Sequence, residues 1–164
     1  MPHTIHSAEI LCVGTELLLG DIVNTNAAFL SQRLASLGIC VYKHTAVGDN
    51  PERLKNALAR ALESADLVIT SGGLGPTYDD LTKETVAEAF GREMLLDEGS
   101  LERIKEYFDR AGKVMTKNNE KQAYIPEGSV IFDNNGGTAP GCAIEDEEEL
   151  QSVYDLIMDE LYAE

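Results

Sequence analysis

Apolar and polar positions change rhythm repeatedly along this chain, and each change predicts an element. Glu9–Val13 alternates into a short apolar run that predicts a strand. A polar segment follows, Gly14–Asn26. Phe29, Leu30, Leu34 and Leu37 then keep helical spacing, with Asn26 or Thr25 placed to cap the helix and Gly38 to end it. Ile39–Val47 is rich in β-branched residues and predicts a second strand. Asn50 as N-cap and Pro51 at the first helical position open a helix whose stripe is Leu54, Ala57, Leu58, Ala61 and Leu62. Asp66–Thr70 predicts a third strand.

The second half is less regular. Lys83–Phe90 predicts a helix stopped by Gly91, with Thr82 as its cap. Ser100–Ala111 predicts another, with Leu101, Ile104, Lys105 and Phe108 at helical intervals and Gly112 closing it. Val114–Ala123 is polar and predicts at most a short helix; Ile125–Gly128 reads as a turn. Val130–Phe132 and Cys142–Ile144 read as short strands around a glycine-rich loop, Asn134–Gly141. Glu145–Glu149 is a run of acids, and Leu150, Val153, Tyr154, Ile157, Met158 and Leu161 form one stripe, so 145–164 predicts an acidic C-terminal helix.

Strands alternating with helices predict an α/β fold with a largely parallel sheet covered on both faces. In such sheets ligands bind beyond the carboxyl ends of the strands. Three polar loops follow candidate strands, Gly14–Asn26, Val47–Asn50 and Gly72–Asp80, and are expected to share one rim.

Composition narrows the function classes. At 164 residues, the whole chain, 1–164, is expected to be a single domain. Net charge is −16, from 29 acidic against 13 basic residues, which argues against a nucleic-acid surface and against adhesion to anionic membranes. There is no apolar run near the length of a membrane span and no signal-peptide pattern at the start. His3 and His6 fall in a polar leader expected to be disordered. Cys12, Cys40 and Cys142 lie in apolar segments without metal or redox spacing; buried reduced thiols are expected, as in a cytoplasmic protein.

Candidate chemistry concentrates in Thr70–Thr82, TSGGLGPTYDDLT. Gly72, Gly73, Leu74 and Gly75 lie between a strand and a helix, where glycines bring backbone amides close to an anion and the helix dipole favours it. The pattern is neither the dinucleotide fingerprint nor a P-loop. Asp79 and Asp80 beside such a turn would repel a phosphate unless a metal or a cationic side chain intervened; either could also serve only as a helix N-terminal acid. Lys43, Lys117 and Lys121 are the candidate cations, and the sequence does not choose among them. Thr15 and Glu16, after the first strand, could meet phosphate and metal. Asn24 and Asn26 could cap a helix or read a sugar or base, and Asp49 could be a site acid or a turn residue. His44 lies mid-strand with no nucleophile pattern, so covalent catalysis is not expected.

Four motifs, VGTELLLGDIVNTNAAFLSQRL (Val13–Leu34), VGDNPERL (Val47–Leu54), SGGLGPTYDDLT (Ser71–Thr82) and NNGGTAPG (Asn134–Gly141), resemble in this order the N-terminal domain of the competence/damage-inducible CinA family. That domain belongs with MoaB and MogA in the molybdopterin-binding superfamily, and the resemblance runs from about Ala8 to Ile144. It implies a three-layer α/β/α fold, a mostly parallel sheet, and a homo-oligomer, a dimer or a trimer. It also implies a metal-dependent pyrophosphatase acting on ADP-ribose or a related dinucleotide. The site would comprise Gly14, Thr15, Glu16, Asn24, Asn26, Gly72, Gly73, Gly75, Asp79 and Asp80. Asp80 and Asp49 fall on the two important aspartates of the superfamily, with Asp79 and Asp80 holding Mg, Mn or Co. The loop containing Asn135, Gly137 and Thr138 would help position the nucleotide or pterin. The alternatives are a non-catalytic molybdopterin- or nucleotide-binding module and an adenylyltransferase for molybdopterin. Two departures stand out. Glu145 passes into the acidic run where the family has a further strand and a Leu-Pro-Gly-x-Pro loop, and no amidohydrolase domain follows, so nicotinamide-mononucleotide deamidation is not expected.

Overall fold

The computed structural model describes residues 4–144, which divide into two compact units, 4–72 and 73–144. The predicted helix over 145–164 and His3 lie outside the described residues.

The first unit is a parallel α/β layer. Its elements are β1 (Ser7–Val13), α1 (Thr15–Leu19), α2 (Thr25–Ser36), β2 (Cys40–Val47), α3 (Pro51–Ser64) and β3 (Leu67–Ser71). The strand order is β2-β1-β3, all parallel, so β1 is central and is buried along almost its whole length. Alternate β1 residues take opposite faces. Ala8, Ile10 and Cys12 pack with Ala27 and Leu34 of α2 and with Ile39 in one core cluster. On the other face Glu9 meets Ser64 of α3, the helix that buries Leu54, Leu58 and Ala61. Helices therefore cover both faces of this sheet, the α/β/α layering expected.

Local chemistry explains the boundaries. Asn50 caps α3 by accepting the Arg53 N–H at 3.0 Å, with Pro51 following. At α2 the expected caps, Thr25 and Asn26, are inside the helix; Asn24 is the N-cap and accepts the Ala27 N–H at 3.2 Å. The segment read as a polar loop also contains α1, a single helical turn whose Leu18 and Leu19 stay exposed. The leader is ordered at His6, whose N–H donates to Asp66 Oδ2 and whose carbonyl accepts from Cys40. Cys12 is buried as expected, but Cys40 is exposed and Cys142 half-buried.

The second unit has α4 (Thr82–Ala89), β4 (Met94–Leu96), α5 (Glu98–Arg110), a 3₁₀ helix (Lys117–Ala123), β5 (Tyr124–Pro126), β6 (Val130–Phe132) and β7 (Gly141–Ala143). β4 pairs with β5 and β6 with β7, both antiparallel. The β4–β5 pair has no signal in the hydrophobic pattern, and Ile125–Pro126, read as a turn, belongs to it. Thr82 does not cap α4 but is its first residue, 1% exposed; Leu81 occupies the cap position with no side-chain hydrogen bond. Among the described residues no helix is long and apolar enough to cross a membrane.

Candidate functional site

Two polar constellations occur, one in each unit. In the first, Gly14 follows β1 and donates its N–H to the Val47 carbonyl at 2.8 Å, joining the carboxyl ends of β1 and β2. Thr15 and Asp49 are locked together there. Asp49 Oδ2 accepts from the Thr15 N–H and hydroxyl at 3.2 and 3.1 Å, and the Asp49 N–H lies 3.1 Å from the same hydroxyl oxygen. The Glu16 carboxylate folds back over Gly14 so closely that a Cβ there would lie 2.5 Å from its Oε1. At the end of β3, Asn26 Nδ2 donates to the Ser71 hydroxyl at 3.1 Å. Asn24 spends its side chain on the helix cap. Gly72 has φ +94°, and a Cβ would run into the Val13 carbonyl oxygen; only glycine fits. Within this unit Gly14–Glu16, Gly48–Asp49 and Ser71–Gly72 lie at the carboxyl ends of β1, β2 and β3, while the rest of the third loop, 73–80, belongs to the second unit.

This unit also holds an unforeseen pair. Ser31 Oγ and His44 Nε2 are 2.7 Å apart across α2 and β2. Among the described residues no carboxylate meets the other ring nitrogen, so the pair lacks the third member of a nucleophilic triad.

In the second unit the glycine turn runs into α4. The N–H groups of Gly73, Leu74 and Gly75 have no acceptor among the described residues, while the carbonyls of Gly73 and Leu74 are taken by the Thr82 N–H and by Gln122 Nε2. Backbone N–H groups without an acceptor in the protein are available to an anion. Beyond them Thr77, absent from the sequence-based site, organises both acids. Its N–H and hydroxyl reach Asp80 Oδ2 at 3.1 and 2.5 Å, and the hydroxyl also lies 2.6 Å from Asp79 Oδ1. The Thr77 hydrogen bond, then the residue's own backbone N–H, hold the Asp79 carboxyl below its usual range, and the charge of Lys121 adds to this. The signal for Thr77 was present: a threonine two and three residues before a pair of aspartates is a turn-forming spacing.

That geometry bears on a metal. A hydroxyl carries one hydrogen, and here two carboxylate oxygens lie within hydrogen-bond distance of it. The one hydrogen can be shared between the two oxygens in a three-centre bond, which keeps the two carboxylates close together. Among the described residues no three His, Cys, Asp or Glu side chains converge as a cage. Mg²⁺ is commonly held by one or two carboxylates with ligand phosphates and needs no more protein ligands. Asp79 and Asp80 fit such an ion.

The cations are now distinguishable. Lys43 pairs with Glu9 at 3.2 Å in the first unit. Lys121 Nζ donates to the carbonyls of Thr77 and Asp80, on the turn itself. Lys83, 5% exposed, donates to the Gln122 carbonyl at 2.8 Å, and burial pulls its pKa down. Gln122 Oε1 is buried with no partner among the described residues. In the glycine-rich loop, Asn134 is the organising residue: its Nδ2 donates to the Ala139 carbonyl and its Oδ1 accepts the Gly136 N–H. Gly137 and Thr138 line a small pocket with Ser100, Arg103, Asn134 and Pro140, and Asn135 is exposed outside that lining.

Comparison with known proteins agrees with this architecture. The sequence profile described as "Probable molybdopterin binding domain" matches residues 9–155. A CinA-like protein of Dictyoglomus turgidum is 63% identical over 138 residues, 84% of this chain but 34% of that protein. The chain thus spans about a third of the length of the curated relatives it matches. The crystal structure of CinA, of unknown function, from Thermoplasma acidophilum superposes with a TM-score of 0.78 at 34% identity, covering 96% of this chain and 98% of that one. The molybdopterin biosynthesis enzyme MoaB from Thermus thermophilus shares the fold at 20% identity, with a TM-score of 0.52 over 96% of this chain and 92% of that one.

Proposed function

The chain belongs to the molybdopterin-binding domain family, in its CinA-like branch, and from that premise we propose that it binds the diphosphate of a nucleotide and hydrolyses it with a divalent metal. ADP-ribose or a related dinucleotide is the proposed substrate. The observation that carries this reading is the Gly73–Gly75 run of N–H groups that meet no acceptor among the described residues, followed in the same turn by two carboxylates on the Thr77 hydroxyl.

Each residue has a distinct task. The amides of Gly73, Leu74 and Gly75 receive phosphate charge and are already oriented before the reaction, which is what makes such donors effective. Asp79 and Asp80 would hold the ion, which would polarise a phosphoryl oxygen and supply a nucleophile near neutral pH. Thr77 holds Asp80 in place through its N–H. In the first unit Asp49 fixes the Thr15 hydroxyl and N–H.

The test is hydrolysis of ADP-ribose with Mg²⁺, Mn²⁺ or Co²⁺, beside calorimetry with ADP-ribose, FAD, AMP and molybdopterin. Asp80→Asn is expected to lower kcat/KM by about 10²-fold or more with the fold intact, an effect of about 3 kcal/mol on the transition state. Unchanged metal-dependent turnover in that variant removes Asp80 from the mechanism. A second reading, a binding module without catalysis, is favoured by the engagement of Asp80 Oδ2 with Thr77, which uses that oxygen structurally. Binding without turnover in the wild type would select it.

A further inference from the structure

Lys121 stands out as the one side chain, among those described, that binds the carbonyls on both sides of the acidic pair. Its side chain is 26% exposed, and its ammonium donates to the Thr77 carbonyl at 2.5 Å and to the Asp80 carbonyl. The Glu84 carboxylate of α4 is 4.0 Å away. Lys121 comes from the 3₁₀ helix, whose start is fixed where the Thr116 N–H and hydroxyl both meet Asn119 Oδ1 at 2.9 Å. Its neighbour Gln122 reaches the Leu74 carbonyl, and Lys83 of α4 returns to the Gln122 carbonyl. The turn is therefore gripped at Leu74, Thr77 and Asp80 by two adjacent residues of one helix.

We propose that Lys121 is the positioning residue of the Asp79–Asp80 turn, holding its backbone so that the Asp80 carboxylate is presented to a metal-bound diphosphate. This rests on the diphosphate reading above. The physical reason is the pair of carbonyls. In a trans peptide C=O and N–H point in opposite directions. A cation that draws in the carbonyls of residues 77 and 80 therefore fixes both peptide planes, and with them the backbone on either side of residues 78–80. The same ammonium offsets the mutual repulsion of Asp79 and Asp80 without contacting either carboxylate, leaving their oxygens for a ligand. Hydrogen bonds from a charged donor are the stronger kind, so two of them suffice to order a four-residue turn.

The experiment compares Lys121→Met, which keeps the aliphatic stem, with Lys121→Arg, which keeps the charge and the donors. Amide hydrogen exchange is followed in the ligand-free chain, and kcat and KM are measured with ADP-ribose and Mn²⁺. Lys121→Met is expected to speed exchange at Thr77 and Asp80 by about tenfold or more, the size of losing hydrogen bonds to a charged group. Exchange in α5 and β5 should stay at the wild-type rate, kcat should fall by about tenfold or more, and KM should change less than kcat. Lys121→Arg should restore most of both losses. Turn exchange unchanged in Lys121→Met, or an arginine variant no better than the methionine one, overturns the proposal. If the wild type turns over no nucleotide, the pyrophosphatase reading fails, while the exchange comparison still decides whether Lys121 positions the turn.

Discussion

At the scale of single residues, Glu9 shows how a buried charge is kept. It sits on the central strand at 2% exposure, where burial alone would push its carboxyl up. Hydrogen bonds from Thr45 at 2.7 Å, Lys43 and Ser64, with the charge of Lys43, outweigh that and hold it below its ordinary 4.5. A carboxyl depressed in the folded state adds stability above its unfolded pKa and loses it as pH falls through the folded one. Glu9→Gln is therefore expected to cost about 1–3 kcal/mol at pH 7. Urea unfolding should show the gap to wild type narrowing as the pH is taken below 4.5. A gap of equal size in acid would mean the ionised form contributes nothing. Glu9 also marks a limit of sequence reading: in the pattern it is only the polar entry to an apolar run. The Asp79–Asp80 pair, by contrast, is conspicuous after its glycines, though the pattern does not choose between the two acids. Lys121 could not be chosen from the sequence because its partners lie 41 and 44 positions away, and lysine spacing carries no trace of that contact.

At the scale of elements, the legible parts are those whose chemistry is local. The Asn50–Pro51 start of α3 is written in adjacent residues, β1 and β3 in short apolar runs, and β2 in its β-branched residues. The 3-residue β4 and β5 are too short for a period, and α1 escapes because a single turn buries only part of Leu17 while Leu18 and Leu19 face outward. The glycine turn is a joint between a strand and a helix, and its glycines differ in kind. At Gly72 the backbone is left-handed and the Val13 carbonyl occupies the place of a Cβ, so Gly72→Ala is expected to destabilise by about 2–4 kcal/mol. Gly75 has no such φ, and its Cβ would meet only the end of the Asp80 side chain, at 2.5 Å. Gly75→Ala should therefore cost about 1–2 kcal/mol by displacing that carboxylate from Thr77, and reduce hydrolysis by about tenfold or more. Thermal melts and kinetics on both variants separate the two roles. Full activity in a folded Gly75→Ala protein would show that Asp80 need not stay where it is.

At the scale of the whole molecule, a net charge of −16 makes any cation stabilising to some degree, because salt screens self-repulsion. A metal effect on stability therefore means little unless screening is matched. Melting should be compared in MgCl₂ or MnCl₂ and in NaCl at equal ionic strength, for the wild type and for Asp80→Asn. Screening alone raises both proteins by the same amount in every salt. An ion bound at Asp79 and Asp80 adds RT ln(1 + [L]/Kd), about 2.7 kcal/mol at a hundredfold excess over Kd. That surplus should appear with the divalent salt in the wild type, grow when ADP-ribose supplies the remaining oxygen ligands, and vanish in Asp80→Asn. A surplus that survives the substitution would place the ion elsewhere in an acidic chain and take Asp80 out of the metal site.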